Sequence, residues 1–330
     1  MSCVDAMRSP SWRALTRWGV ALGLCACLAG SGCADQDADM PRTKPGQPVA
    51  AANAPGGPGV PAAPAAPIPD AVREQAAAQI RAAGLSAERE VAARIAASRA
   101  AAARKWGLAQ TPIAAPAPPA TRPVLKSGPG VIRHGDLPPV VHRVPTQDRV
   151  VFLTVDDGAE KDPRFARMAR ELGVPFSAFV SGYLARGGWA YFRGLHEQGV
   201  VVNNHTVNHP DLRKLGYARQ QQEICGEQEV AEREIGVASR LFRPPYGEFN
   251  QDTLRAAQSC GIVALPIWNQ EAFPDRIEYR YDHRLEPGDI ILTHFRGPGE
   301  WKGDIAQMLR RVVDTATAQG FALARLDDYL

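Results

Sequence analysis

Val150-Val151-Phe152-Leu153-Thr154-Val155-Asp156-Asp157-Gly158, residues 150–158, runs from a short β-rich stretch straight into two carboxylates and a glycine. Outward from it the pattern repeats as strand, helix, strand. Residues 165–172 read as helix, 175–180 as strand, 189–198 as helix and 200–202 as strand. A long amphipathic helix at 217–235, a short strand at 241–242 and a helix at 252–259 follow. Strands at 262–268 and 290–294, a helix at 305–318 and a strand at 321–326 close the chain. Alternation of this kind demands a parallel α/β sheet, where sites gather at the C-terminal strand ends. Periodicity alone does not separate a barrel from an open doubly wound sheet.

The rest of the 330-residue chain is of a different kind. Arg8, Arg13 and Arg17 precede an apolar run at 20–30 and small residues up to Cys33, which reads as an export signal over 1–33. The run is too short for a permanent membrane span. Residues 28–33 are similar to a bacterial lipoprotein cleavage site, with Cys33 as the lipidated residue; plain secretion and an uncleaved anchor are the alternatives. Residues 34–69 hold nine prolines among Ala and Gly and read as a flexible tether. An Ala-rich helical segment at 70–108, broken near Gly84, and a Pro-rich linker at 109–127 lead to a catalytic domain at 128–330. With the signal removed, Cys225 and Cys260 remain in the folded part. They either pair in an oxidising compartment or stay as two small buried thiols. A formal charge of +3 and no basic stripe with interleaved aromatics argue against nucleic acid.

Five stretches carry the chemistry. They are 154–158 (Thr-Val-Asp-Asp-Gly), 205–209 (His-Thr-Val-Asn-His), 243–247 (Arg-Pro-Pro-Tyr-Gly), 268–275 (Trp to Asp) and 292–294 (Leu-Thr-His), each after or at the end of a strand. Past a strand end the chain turns, so Asp156 and Asp157 can reach one cavity and divide metal binding from proton transfer. His205 and His209 are four apart, which places both imidazoles on one side of a helical turn. Taken singly, each stretch also describes an ordinary feature: a solvated Asp-Asp-Gly turn, a rigid Pro-Pro turn, a structural histidine.

Together, in this order, they resemble the NodB-type polysaccharide deacetylases, carbohydrate esterase family 4. The resemblance implies a distorted, incomplete (β/α) barrel. It makes Asp157, His205 and His209 the ligands of a divalent metal, and Asp156 the general base. One Asp and two His leave positions open, as in catalytic zinc sites, and Co, Mn or Ni also suits these ligands. The backbone N–H of Tyr246, stiffened by Pro244 and Pro245, becomes the oxyanion donor, and Arg243 orients the base. His294 becomes the general acid, a role that needs a pKa near working pH. Leu292, with Pro245 and Trp268, forms the pocket. The fourth stretch departs from the family's Asp-x-x-Asp-Trp, so either Glu271 or Asp275 is left to tune His294.

The expected activity is removal of N-acetyl groups from peptidoglycan or a chitin-like oligomer by an exported monomer. It is held at the outer face of the cytoplasmic membrane by an N-terminal lipid, or secreted. The alternatives are a deformylase or O-acetyl esterase on the same scaffold, and a catalytically impaired glycan-binding protein.

Overall fold

The structure is a computed structural model and describes residues 69–330. The expected export signal, Cys33 and all but the last residue of the 34–69 tether lie outside the described residues. Among the described residues the α-helices are α1 (Asp70–Lys105), α2 (Pro163–Leu172), α3 (Gly182–Ala185), α4 (Trp189–Glu197), α5 (Tyr217–Ile235), α6 (Gln251–Ser259) and α7 (Ile305–Ala318). The strands are β1 (Val131–Ile132), β2 (Val140–Val141), β3 (Val150–Asp157), β4 (Ser177–Val180), β5 (Val201–Asn204), β6 (Leu265–Pro266), β7 (Gln270–Ala272), β8 (Ile277–Tyr279), β9 (Ile290–His294) and β10 (Ala322–Ala324). Among the described residues, no helix is long and apolar enough to cross a membrane.

The main sheet runs β5-β4-β3-β9-β7-β8, with β10 added to β3. All its pairings are parallel except β7 with β8. Every residue of β3 is buried, as its near-continuous apolar run requires of a central parallel strand. Phe152 pairs with both Ala324 of β10 and Ile290 of β9, so those strands take opposite edges of β3. β10 and β4 therefore share one edge, β10 beside residues 150–152 and β4 beside 154–157. The wall splits there instead of closing smoothly.

Beyond β5 the wall thins to single bridges, Asn204 with Phe242 and Leu241 with Ala264, before the small sheet β1-β2-β6. The strands expected at 241–242 and 262–268 are thus reduced to those bridges and to the two residues of β6. Proline is the cause: Pro244, Pro245 and Pro266 carry no N–H to extend a ladder. The result is the incomplete α/β barrel that the motifs implied.

Helices α2, α4 and α7 cover the sheet. Phe165 and Phe192 pack edge-on against Phe295, with ring centroids 5.9 and 5.5 Å apart. α2 opens on Asp162, whose side chain accepts from the Arg164 N–H, and on Pro163 at its first position. α7 opens on a capping box between Asp304 and Gln307. α1 corrects the expected break at Gly84, being one continuous helix of 36 residues. A glycine among alanines costs only about 1 kcal/mol of helix propensity, too little to interrupt it. Its C-terminal end is docked: Ala102 and Ala103 are buried, Arg99 Nε donates to Leu172 O (3.1 Å), and Lys105 and Trp106 both donate to Glu171.

Candidate active site

The C-terminal ends of β3, β4, β5 and β9 lie on one side of the sheet. In the parallel register Asp157 pairs with Val180, Val180 with Asn204, and Asp156 with His294. Side chains that alternate along a strand would send Asp156 and Asp157 to opposite faces. Asp157 escapes this through a left-handed backbone, φ 78°, and both carboxylates turn into one cavity.

His205 and His209 arrive by another route than expected. The segment 205–209 is not a helical turn but an irregular loop, with Thr206 at φ 68° and His209 at φ 55°. Thr206 Oγ1 accepts from the His209 N–H (3.0 Å), and Asn204 Oδ1 from the Thr206 N–H (3.0 Å). These local bonds support a backbone that residues other than Gly and Asn seldom adopt. From below, Glu223 on α5 accepts from both the backbone and the side-chain amide of Asn208, at 2.9 and 3.0 Å.

The geometry at the centre is specific. Asp157 Oδ1 lies 3.2 Å from His209 Nε2 and 3.7 Å from His205 Nε2. Ligands around a tetrahedral zinc with bonds of about 2.0–2.1 Å sit roughly 3.4 Å apart, so these spacings fit a shared ion. His205 Nδ1 faces the carbonyl oxygen of Arg243 at 2.7 Å and so carries the proton, which leaves the Nε2 lone pair pointing at Asp157. Asp157 Oδ1 is buried and makes no hydrogen bond. A carboxylate oxygen facing imidazole lone pairs at this distance is repulsive unless a proton or a cation lies between them. The donor set fits a divalent cation, and among the described residues these three form the one such cluster.

Electrostatics sharpen the picture. Burial raises the Asp157 carboxyl, but its contacts with the His205 and His209 side chains outweigh that and hold the group well below the carboxylate range. For His205, burial lowers the pKa while Asp156 and Asp157 raise it, with a net rise. Asp156 is gripped by Arg243, whose Nη1 lies 2.6 Å from Asp156 Oδ1 and 2.9 Å from Thr154 Oγ1. That arginine is fully buried, donates through Nε to Pro266 O (2.9 Å), and lies over the Phe179 ring at 4.3 Å. The guanidinium fixes the direction in which the Asp156 carboxylate is aimed.

His294 stands on β9 beside Asp156, its register partner on β3. Its Nδ1 is buried without a hydrogen bond, and Glu271 Oε1 lies 3.6 Å away. Burial drives the imidazole down to about 4, although Asp157 and Asp156 pull it up. Glu271 moves the other way: burial, with Glu278 and Asp156 nearby, lifts it to about 7. Of the two acids left open by the fourth stretch, Glu271 is the one beside His294. Asp275 is exposed and paired with Arg276 at 3.1 Å.

Tyr246, 63% exposed, sits at φ 63° between buried Pro245 and Gly247, with its ring 4.8 Å from that of His209. Gly247, at φ 70°, meets the Trp268 ring so closely that an added Cβ would lie 2.9 Å from it. Trp268 is therefore a wall of this turn as well as part of the core. Leu292 is buried on β9. Cys225 and Cys260 form a disulfide that ties α5 to the end of α6.

Arg296 was not anticipated. Its Nη2 and Nε lie 3.0 and 3.2 Å from Asp157 Oδ2. It lies two residues past His294, beyond the end of β9, and no local pattern in the sequence marks it.

The sequence model of the family described as polysaccharide deacetylase matches residues 143–265. An uncharacterised protein of Streptomyces coelicolor is 41% identical over 196 residues, spanning 59% of this chain and 78% of that one. A chitooligosaccharide deacetylase of a Bradyrhizobium strain is 31% identical over 159 residues, spanning 44% of this chain and 70% of that one. The crystal structure of a peptidoglycan N-acetylglucosamine deacetylase superposes with a TM-score of 0.52, covering 58% of this chain and 92% of that one. At 23% identity that likeness speaks for the fold.

Proposed function

Because the chain belongs to the polysaccharide deacetylase family, we propose that it is a metal-dependent hydrolase that removes N-acetyl groups from a polysaccharide, peptidoglycan or a chitin-like oligomer. The observation that carries this reading is the buried, unsatisfied Asp157 Oδ1 facing His205 and His209, with Asp156 next in the chain and His294 its register partner on β9. Asp157, His205 and His209 would hold the ion, zinc being the best fit to one carboxylate and two imidazoles. When bound, it supplies a Lewis acid that polarises the acetyl carbonyl and makes water more acidic.

The chain's own groups do the rest. Asp156, aimed by Arg243, takes the proton from the attacking water. The Tyr246 N–H, held in its turn by Pro244 and Pro245, donates to the oxygen on which charge develops. Such a donor contributes on the order of 3 kcal/mol to the barrier. His294 protonates the departing sugar amine, and Glu271 beside it carries the proton that a neutral imidazole lacks. Leu292, Pro245 and Trp268 enclose the acetyl methyl. In this reading the enzyme is exported and acts at the cell wall, held to the membrane through Cys33 or released.

The test is Asp156→Asn measured beside wild type for zinc content and for acetate released from N-acetylglucosamine oligomers and peptidoglycan. The expected result is zinc retained and acetate release lowered by 100-fold or more, of the order of a lost general base. Wild-type rates in the variant would remove Asp156 from the reaction. Glycan binding by zinc-loaded wild type with no acetate released would favour a binding protein.

A further inference from the structure

Each of the two carboxylates in the cavity has its own guanidinium. Asp156 has the buried Arg243, and Asp157 has Arg296, which comes from outside the five sequence motifs. Both Nη2 and Nε of Arg296 converge on Oδ2 of Asp157, and Nε also lies 3.1 Å from Glu300 Oε2. The other oxygen, Oδ1, is the one without a hydrogen bond that faces the imidazoles. The two oxygens of one carboxylate are thus given to two different tasks.

We propose that Arg296 is a positioning residue for the cation site, fixing the Asp157 carboxylate so that Oδ1 alone is presented to the ion. The proposal rests on reading Asp157, His205 and His209 as a metal centre. A free carboxylate turns about its Cβ–Cγ bond, so either oxygen, or both at once, would approach the ion. The two-pronged contact from Arg296 removes that freedom before the ion arrives. Recognition of a substrate anion is the weaker reading of this arginine, because its Nε and Nη2 are already engaged by Asp157 and Glu300.

Two effects oppose each other here. A positive charge close to a dication weakens binding, whereas a fixed ligand strengthens it. The Arg296 side chain is 35% exposed, so solvent screens its repulsion, while its contact with Oδ2 is direct. Removing the hydrogen-bond partner of a ligating group typically weakens metal affinity by roughly 10–100-fold. Positioning wins on those magnitudes, and the two effects predict opposite signs.

The experiment measures zinc dissociation constants by competition with a chromophoric chelator for the full chain, Arg296→Met and Arg296→Lys, with the melting temperature of each metal-free protein alongside. Lysine keeps the charge and loses the fork. Both variants are expected to bind zinc roughly 10–100-fold more weakly, with metal-free melting temperatures close to wild type. Arg296→Met binding as tightly as wild type, or more tightly, overturns the proposal, as does a fall in melting temperature with unchanged affinity. Wild type that binds no zinc sinks the metal-centre reading itself. Tight wild-type binding with unchanged variants sinks this inference alone.

Discussion

Glu227 offers a stability test that does not depend on catalysis. It is buried on α5, and its Oε2 accepts from the Gly182 N–H at 3.0 Å. Burial, with Glu223 one turn away, pushes its pKa from 4.5 up to about 9, although the Gly182 N–H and Arg233 pull it down. The folded value lies above the unfolded one, so the neutral acid is what the fold accommodates. Its contribution is fully present below about pH 4.5 and is lost as pH rises toward 9. Within that window one proton separates the states, and stability falls by about 1.4 kcal/mol per pH unit. Between pH 5 and pH 7 this single group removes about 3 kcal/mol. Glu227→Gln keeps the shape and the acceptor for Gly182 but cannot ionise. Urea unfolding of both proteins at pH 5, 6, 7 and 8 should give nearly equal stabilities at pH 5 and an advantage to the variant that grows to about 3 kcal/mol by pH 7. A constant difference at every pH would show that Glu227 does not titrate in this window, and the argument from burial would fail.

Two more outcomes follow from the geometry. The Cys225–Cys260 disulfide closes a segment with a sequence separation of 35, for which the chain-entropy estimate is about 4 kcal/mol. Replacing both cysteines by serine should lower urea-derived stability by up to that amount, and an unchanged midpoint would show that the crosslink constrains nothing in the unfolded chain. Arg243→Met leaves Asp156 buried without its partner, a change that typically costs about 3–5 kcal/mol. Acetate release should fall with it, and a variant as stable and active as wild type would contradict the ion pair's assigned role.

The parts of this structure legible in the sequence are those that depend on local pattern. The strand at 150–155, the long amphipathic helix at 217–235 and the helix at 305–318 announce themselves by periodicity, and each is present within a residue or two. What depends on distant partners was hidden. The spacing of His205 and His209 suggested a helical turn, whereas left-handed residues and contacts from α5 bring them together. The Gly84 break was overruled because neighbouring alanines hold the helix through it. The choice between Glu271 and Asp275 needed the pairing of β7 with β9, which sets Glu271 opposite Leu292. Arg296 meets Asp157 across 139 positions, a contact that no window of sequence displays.

The cation cluster is built from supports of unequal stiffness. Asp157 ends the most sheltered strand of the sheet, flanked on both edges, whereas His205 and His209 belong to an irregular loop with two left-handed residues, His205 buried and His209 half-buried. Amide exchange at Val155 and Asp156 should therefore require global opening, while the loop of His209, outside the ladder, should exchange through a smaller one. Ion capture and escape would then be governed by how often that loop parts from the strand.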